Sequence, residues 1–200
     1  DDKVMIERAL LRRKGNEFTA TGKYQLPANP RDLTAQPATL DQVLNAPQLA
    51  DYWIGETADR ISGPLQMNGQ IEWRNGTANG QLTIFGADLR VRDLVVHQVS
   101  GQCSVSESVV YLNDFTASLN QQDFISANGI LDPRPPFRYR GKLVANLIDL
   151  SVFNPLVQAS GNTNKVGGSL VMDWSGEGVA QGPNNTGNLK LKLERGSYGQ

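Results

Sequence analysis

The amino-acid sequence predicts a mainly β protein whose antiparallel sheet is elongated by an internal repeat. Three observations carry that expectation. Apolar and polar residues alternate with period two in several runs, Gly- and Asn-rich pairs punctuate them, and two landmarks recur 105–106 residues apart. Alternation at period two places one set of side chains on each face of a strand.

The clearest strand is Leu189-Lys190-Leu191-Lys192-Leu193, with three leucines on one face and two lysines on the other. Gln81-Leu82-Thr83-Ile84 and Asp88-Leu89-Arg90-Val91-Arg92 repeat the pattern. Val4-Met5-Ile6 and Leu10-Leu11 carry a weaker form around Glu7 and Arg8. Residues that tolerate positive φ are expected to turn the chain at Lys14-Gly15-Asn16, Asn68-Gly69, Asn75-Gly76, Asn79-Gly80, Asn128-Gly129 and Gly187-Asn188. Strands of about five to eight residues between such turns make a meander.

Helix is expected only in short pieces, at about 39–54 and 149–157. Thr39-Leu40-Asp41-Gln42 has the form of a capping box, and Leu40, Val43 and Leu44 share a helical face. Asn45-Ala46-Pro47 can begin a further turn carrying Leu49, Tyr52 and Trp53. The second piece starts at Asp149-Leu150 and carries Phe153, Leu156 and Val157, with Pro155 limiting or kinking it. Both read as plugs for an end of a β layer.

The repeat divides the chain into units at 1–105 and 106–200, expected to form one continuous segment. Glu17-Phe18-Thr19-Ala20-Thr21-Gly22 is echoed by Asp123-Phe124-Ile125-Ser126-Ala127-Asn128-Gly129, the phenylalanines lying 106 residues apart. Gly63-Pro64-Leu65-Gln66-Met67, leading to Trp73 and Gly76, is echoed by Gly168-Ser169-Leu170-Val171-Met172, leading to Trp174 and Gly176. Each unit ends in Gly-x-Leu-x-apolar, at Gly80–Ile84 and Gly187–Leu191. A repeated β unit suggests a sheet that grows by addition. Such a sheet closes on a second sheet, curls on itself, or leaves an apolar trough.

Composition narrows the chemistry. The 200 residues hold 19 Lys+Arg against 20 Asp+Glu, one histidine and one cysteine. A single Cys forms no internal disulfide, and one His leaves no two-histidine metal or haem site. A pI of about 5.9 argues against a nucleic-acid surface. The longest purely apolar run, Val109–Leu112, is far short of a membrane-spanning helix. Both chain ends stop without caps and read as the ends of a segment of a longer chain.

No catalytic motif stands out, and no enzyme, cofactor or metal is expected. His97, within Leu94-Val95-Val96-His97-Gln98-Val99, lacks the nucleophile and orienting acid of a triad and reads as structural or exposed. Cys103 alternates with Val105 and reads as a small half-buried residue. Asp88 with Asp93, or Glu107 with Asp114, are the carboxylate pairs a glycosidase could use, against the simpler reading of a solvated face. Trp53, Trp73 and Trp174 could form a sugar-stacking platform. Recurrence of Trp73 and Trp174 before a glycine turn favours a packing role instead. The sequons Asn75-Gly76-Thr77 and Asn184-Asn185-Thr186 fall on expected turns and carry little weight.

Val4-Met5-Ile6, Phe18-Thr19-Ala20-Thr21-Gly22, Gly63-Pro64-Leu65-Gln66-Met67, Asn79-Gly80-Gln81-Leu82-Thr83-Ile84 and Gly187–Leu193 set a cadence. That cadence resembles the β repeats of the AsmA-like superfamily, nearest to its TamB-type translocation and assembly module proteins. The resemblance covers most of the chain and rests on cadence, since there is no catalytic signature to match. It implies a long curled sheet, a taco-like β groove with an apolar interior. It also implies a periplasmic location in a diderm bacterium, with the parent chain anchored in the inner membrane. Phospholipid would move in that groove towards the outer membrane, and an outer-membrane barrel protein would be a partner of the parent chain.

The stripe expected to face phospholipid acyl chains comprises Leu82, Ile84, Leu89, Val91, Leu189, Leu191 and Leu193, residues that a closed sandwich core would use equally. The expected function is therefore a non-enzymatic, lipid-handling segment of outer-membrane biogenesis. The alternative is a carbohydrate-binding or adhesive β-sandwich of a cell-surface protein.

Overall fold

The computed structural model describes residues 3–29, 36–52, 61–180 and 185–199. The strands are β1 (Lys3–Arg13), β2 (Asn16–Gln25), β3 (Ala38–Ala46), β4 (Ile61–Ser62), β5 (Leu65–Arg74), β6 (Thr77–Val91) and β7 (Leu94–Ser106). They continue as β8 (Val109–Ser118), β9 (Phe124–Leu131), β10 (Arg138–Leu147), β11 (Lys165–Val179) and β12 (Asn185–Gly199). All belong to one antiparallel sheet ordered β1-β2-β3-β5-β6-β7-β8-β9-β10-β11-β12, with β4 pairing β6 beside β5. The sheet is curled and unclosed, and β1 and β12 are its outermost strands, each free on one edge among the described residues. It runs through the 105/106 boundary without a break, because β7 pairs with β6 on one side and β8 on the other.

Two of the expected turns form as two-residue hairpin loops with both central residues at positive φ: Lys14-Gly15 (49° and 89°) and Asn75-Gly76 (52° and 76°). Glu107-Ser108 turns the same way at 51° and 65°, without glycine. Asn68-Gly69, Asn79-Gly80, Asn128-Gly129 and Gly187-Asn188 are not turns but lie inside β5, β6, β9 and β12. Their glycines serve close approach instead. A Cβ on Gly129 would sit 2.7 Å from the Arg140 carbonyl oxygen, and one on Gly69 would meet a Leu82 methyl at 2.7 Å.

The helix expected at 39–54 is corrected over its first half, which is strand β3. Leu40, Leu44 and Ala46 satisfy period two as well as they satisfy a helical stripe, and Val43 points outward at 45% exposure. With β2 and β5 offering ladder partners on both sides, the extended form satisfies the backbone. Only Leu49–Tyr52 is helical there, as one 3-10 turn, and Trp53 lies outside the described residues. The second expected piece does form, as a 3-10 turn over Leu150–Phe153 running into α1 (Asn154–Ala159). Asp149 caps it by accepting from the Ser151 backbone N–H at 2.8 Å. Pro155 sits in the first turn of α1, where its missing N–H costs nothing.

The repeat is visible in the irregularities of the sheet. β1–β2 shifts register between Ile6 and Ala9, and β8–β9 does so between Leu112 and Phe115. Gly63 bulges at φ 104° opposite Asp88 at 48°, and Gly168 at 103° opposite Arg195 at 51°. Thus β1, β2, β3, β5 and β6 correspond to β8, β9, β10, β11 and β12. Gly22 and Gly129 are then equivalent, which sets Phe18 against Ile125 and leaves Phe124 on the opposite face. Trp73 and Trp174 are likewise not equivalent. Trp174 takes the place of Gly69, opposite Leu189 as Gly69 is opposite Leu82. Nor does Trp174 precede a turn, since Gly176 is inside β11.

Among the described residues no second sheet covers this one. Accessible surface is 13146 Å², against roughly 9,300 Å² for a compact monomer of this mass. Hydrophobic residues that are fully buried are few: Ala20, Ala46, Leu89, Leu94, Leu119, Ala145 and Leu147. Leu94, Leu119, Ala145 and Leu147 form one cluster, capped by Leu150, Val152, Phe153 and Leu156 of the helical piece.

Candidate functional site

Cross-strand partners share a face, so register alone decides which side chains line one surface. One row runs Gly69, Leu82, Cys103, Leu112, Gly129, Gly141, Gly176 and Gly187 across eight successive strands. Counting by twos from it puts Ile84 on that face of β6, and Leu189, Leu191 and Leu193 on that face of β12. The bulge at Asp88 resets the alternation, which brings Leu89 against Gly86 and keeps Leu89 and Val91 on the same side. All seven residues expected to line a groove therefore point to one surface. Ile71, Met67, Leu44, Leu143, Met172 and Trp174 join them there.

The surface is graded. Leu82, Ile84 and Val91 are half-buried and Leu89 is buried, while Leu189, Leu191 and Leu193 on the free edge are 59%, 55% and 54% exposed. Both helical pieces sit at the same end of the strands, beside Ala46 and Leu147, so that end of the apolar face is plugged.

Two polar anchors fix the plugged end. Asn16 and Asp123 are the fully buried large polar residues and occupy equivalent positions at the starts of β2 and β9. Asn16 donates through Nδ2 to the Gln48 carbonyl at 2.7 Å and accepts from the Gln48 N–H at 3.0 Å. Gln48 in turn accepts from the bulged Gly63 N–H at 2.7 Å. Asp123 accepts from the Ile148 N–H at 2.5 Å and from Asn120 Nδ2 at 2.7 Å. Beside the first anchor, burial pushes the Tyr52 phenol above its ordinary range, and the nearby Glu17 carboxylate adds to that. Sequence reasoning missed both anchors, because Asp123 was matched to Glu17 rather than to Asn16.

Trp174 lies flat on the trough face over a bed of glycines. Cβ atoms built on Gly176, Gly187 and Gly141 would meet its indole at 2.7, 3.4 and 3.5 Å. The opposite face of β8–β12 is polar. There a groove of about 770 Å³ runs between Tyr111, Asn128, Arg140 and Lys142 on one set of strands and Glu177 and Asn188 on the next. Arg140 and Glu177 are paired across it at 2.8 Å.

The other chemistry-bearing residues do not converge. His97 is exposed and pairs with Asp88 at 3.0 Å, on the side away from Leu94 and Val96. Cys103 is half-buried between Leu82 and Leu112. Asp93 and Glu107 sit in hairpin turns, whereas Asp114 lies beside Gly101, well along β8. Among the described residues no cluster of His, Cys, Asp or Glu could hold a metal ion, and no helix is long and apolar enough to cross a membrane.

The fold thus defines a single-layer, curled β-sheet protein with one largely apolar face. No protein-family model, curated protein or solved structure matches the chain.

Proposed function

We propose that this chain is a non-enzymatic segment of an AsmA/TamB-like periplasmic protein, whose apolar trough carries phospholipid between the inner and outer membranes. One observation supports the reading above the rest. Leu82, Ile84, Leu89, Val91, Leu189, Leu191 and Leu193 share one face of a sheet that has no second layer over it. A face of that kind gains about 0.8 kcal/mol for each acyl CH₂ it removes from water. The polar headgroup would stay at the rim, where the outward-facing Lys190 and Lys192 flank the edge leucines. The parent chain, on this reading, is anchored in the inner membrane and meets an outer-membrane barrel protein.

The test is lipid retention. Protein purified from a diderm bacterium should release phospholipid on solvent extraction, identified by mass spectrometry. Leu82→Glu with Ile84→Glu should abolish retention while leaving the β circular-dichroism signal intact. Lipid-free wild-type protein, or retention unchanged in the double variant, overturns the proposal. Glycan binding that depends on Trp73 or Trp174 would move the reading to a carbohydrate-binding module.

A further inference from the structure

The repeat leaves two described strands without a counterpart, the two-residue β4 at the edge of β6 and the long β7. Strands β1, β2, β3, β5 and β6 recur as β8, β9, β10, β11 and β12, and β7 alone among the described strands joins the two units. Its two edges meet different neighbours. Towards β6 the register runs from Gly80↔Val105 to Val91↔Leu94, and towards β8 from Gln98↔Ser118 to Ser106↔Val109. The free edge of β12 is a second copy of the β6 edge, with the same Gly-x-Leu-x-apolar run and the same bulge at Arg195. The free edge of β1 is a second copy of the β8 edge, with the register shift after Ile6 matching the shift after Leu112.

We propose that both free edges are receptors for one strand type, an extended polypeptide segment with the pattern of β7, added by antiparallel pairing. The pattern is specific. Leu94, Val96, Val99, Gly101, Cys103 and Val105 supply apolar or small side chains to the trough face, and Gln98, Ser100, Gln102 and Ser104 face away. Gly101 is required where the Phe115 ring stands 3.0 Å from the position its Cβ would take. On β12 such a strand would set its leading apolar residue opposite Tyr198 and its last inward residue opposite Gly187, as Leu94 and Val105 stand against Val91 and Gly80. The gain is large on both counts. Along 3–13 and 187–199 no described strand pairs the outer edge, which leaves a row of backbone donors and acceptors open to a ladder, and β1 also exposes Val4, Met5, Ile6, Leu10 and Leu11. Strand addition satisfies the first and extends the trough over the second. One β7-type strand bound by both of its edges would link β12 of one sheet to β1 of another. The inference stands on register and is independent of what the trough carries.

The experiment uses the intact protein and a synthetic peptide of residues 94–106, followed by hydrogen exchange. Slowed amide exchange confined to 3–13 and 185–199 is expected. Two further peptides, N-methylated on alternate amides, should divide the effect, each losing protection at one edge and keeping it at the other. No protection, equal protection by a scrambled peptide, or protection elsewhere in the sheet overturns the proposal. So does protection of both edges that rises with protein concentration in the absence of peptide, since β1 and β12 would then be pairing directly.

Discussion

The two units close the same end of the sheet with different materials. In the first, Asn16 holds the chain as it leaves β3, and a single 3-10 turn follows at Leu49–Tyr52. In the second, Asp123 holds the chain as it leaves β10, and a 3-10 turn plus α1 lays Leu150, Val152, Phe153 and Leu156 on Leu147 and Leu119. The choice of side chain follows from what each exit offers. Gln48 presents both its N–H and its C=O, so an amide, donor and acceptor at once, fits. At the second exit the donors are the Ile148 N–H and the Asn120 amide, so an acceptor-only carboxylate fits. One geometric position thus takes a locked polar hinge in one unit and a polar hinge backed by a hydrophobic plug in the other.

The comparison breaks first at the plug. Leu147→Ala should cost about 3 kcal/mol, read as a fall in the urea midpoint, because it empties the centre of the cluster that α1 covers. If the midpoint hardly moves, the helical piece is an ornament and the two ends are alike. Next come the anchors. Asp123→Ala should cost about 2–3 kcal/mol and Asn16→Ala about 1–2 kcal/mol, since each leaves a buried backbone N–H unpaired. Asn16→Asp should lose stability through the Gln48 carbonyl, which then has no donor. Asp123→Asn, which keeps an acceptor for Ile148, should be the milder swap. Equal effects of the two swaps would erase the distinction between the exits.

The smallest effect is electrostatic. The Glu17 carboxyl is held below the usual range, chiefly by its hydrogen bond from Arg12 and also by Arg8, and Asp149 is held below it by the Ser151 hydroxyl and N–H. A depressed carboxyl stabilises the fold fully above its unfolded pKa, and that share is lost as pH falls through the folded pKa. The urea midpoint should therefore decline slightly on acidification below the ordinary carboxylate range. Arg12→Ala should reduce the part of that decline that Glu17 contributes, and Ser151→Ala the part that Asp149 contributes. A midpoint flat in acid would mean neither group is linked to folding.

Much of this architecture was legible in the chain, and the misreadings share a cause. Leu189–Leu193 and Gln81–Ile84 alternate without ambiguity, so their strands and their common face could be read directly. Leu40–Ala46 fits two periods at once, and only the presence of β2 and β5 as neighbours decides for the strand. Asn-Gly marks a hairpin when flanked by short strands, yet glycine is equally the residue of close backbone approach, and Gly129 against Arg140 is the second case. The sequence echo sets Phe18 on Phe124, whereas the strands set it on Ile125. Bulges shift the offset by a residue or two, and one residue in a strand reverses the face. The seven residues expected to line a groove share one face because the run Leu189–Leu193 alternates unbroken and the bulge at Asp88 resets β6 between Ile84 and Leu89. The Asn16 and Asp123 anchors were invisible, since a buried polar residue has no signature apart from the partners that surround it.

Trp174 carries a consequence of its own. Four neighbouring strands bring glycine to one row, and a single indole paves the bare backbone that results. Three of those glycines, Gly141, Gly176 and Gly187, are thus covered by one side chain, contributed by a position where the first unit has Gly69. Trp174→Gly would leave a slot shaped for a planar aromatic molecule, and free indole in solution is the natural key to it. The relief of this half of the apolar face thus hangs on the size of a single side chain.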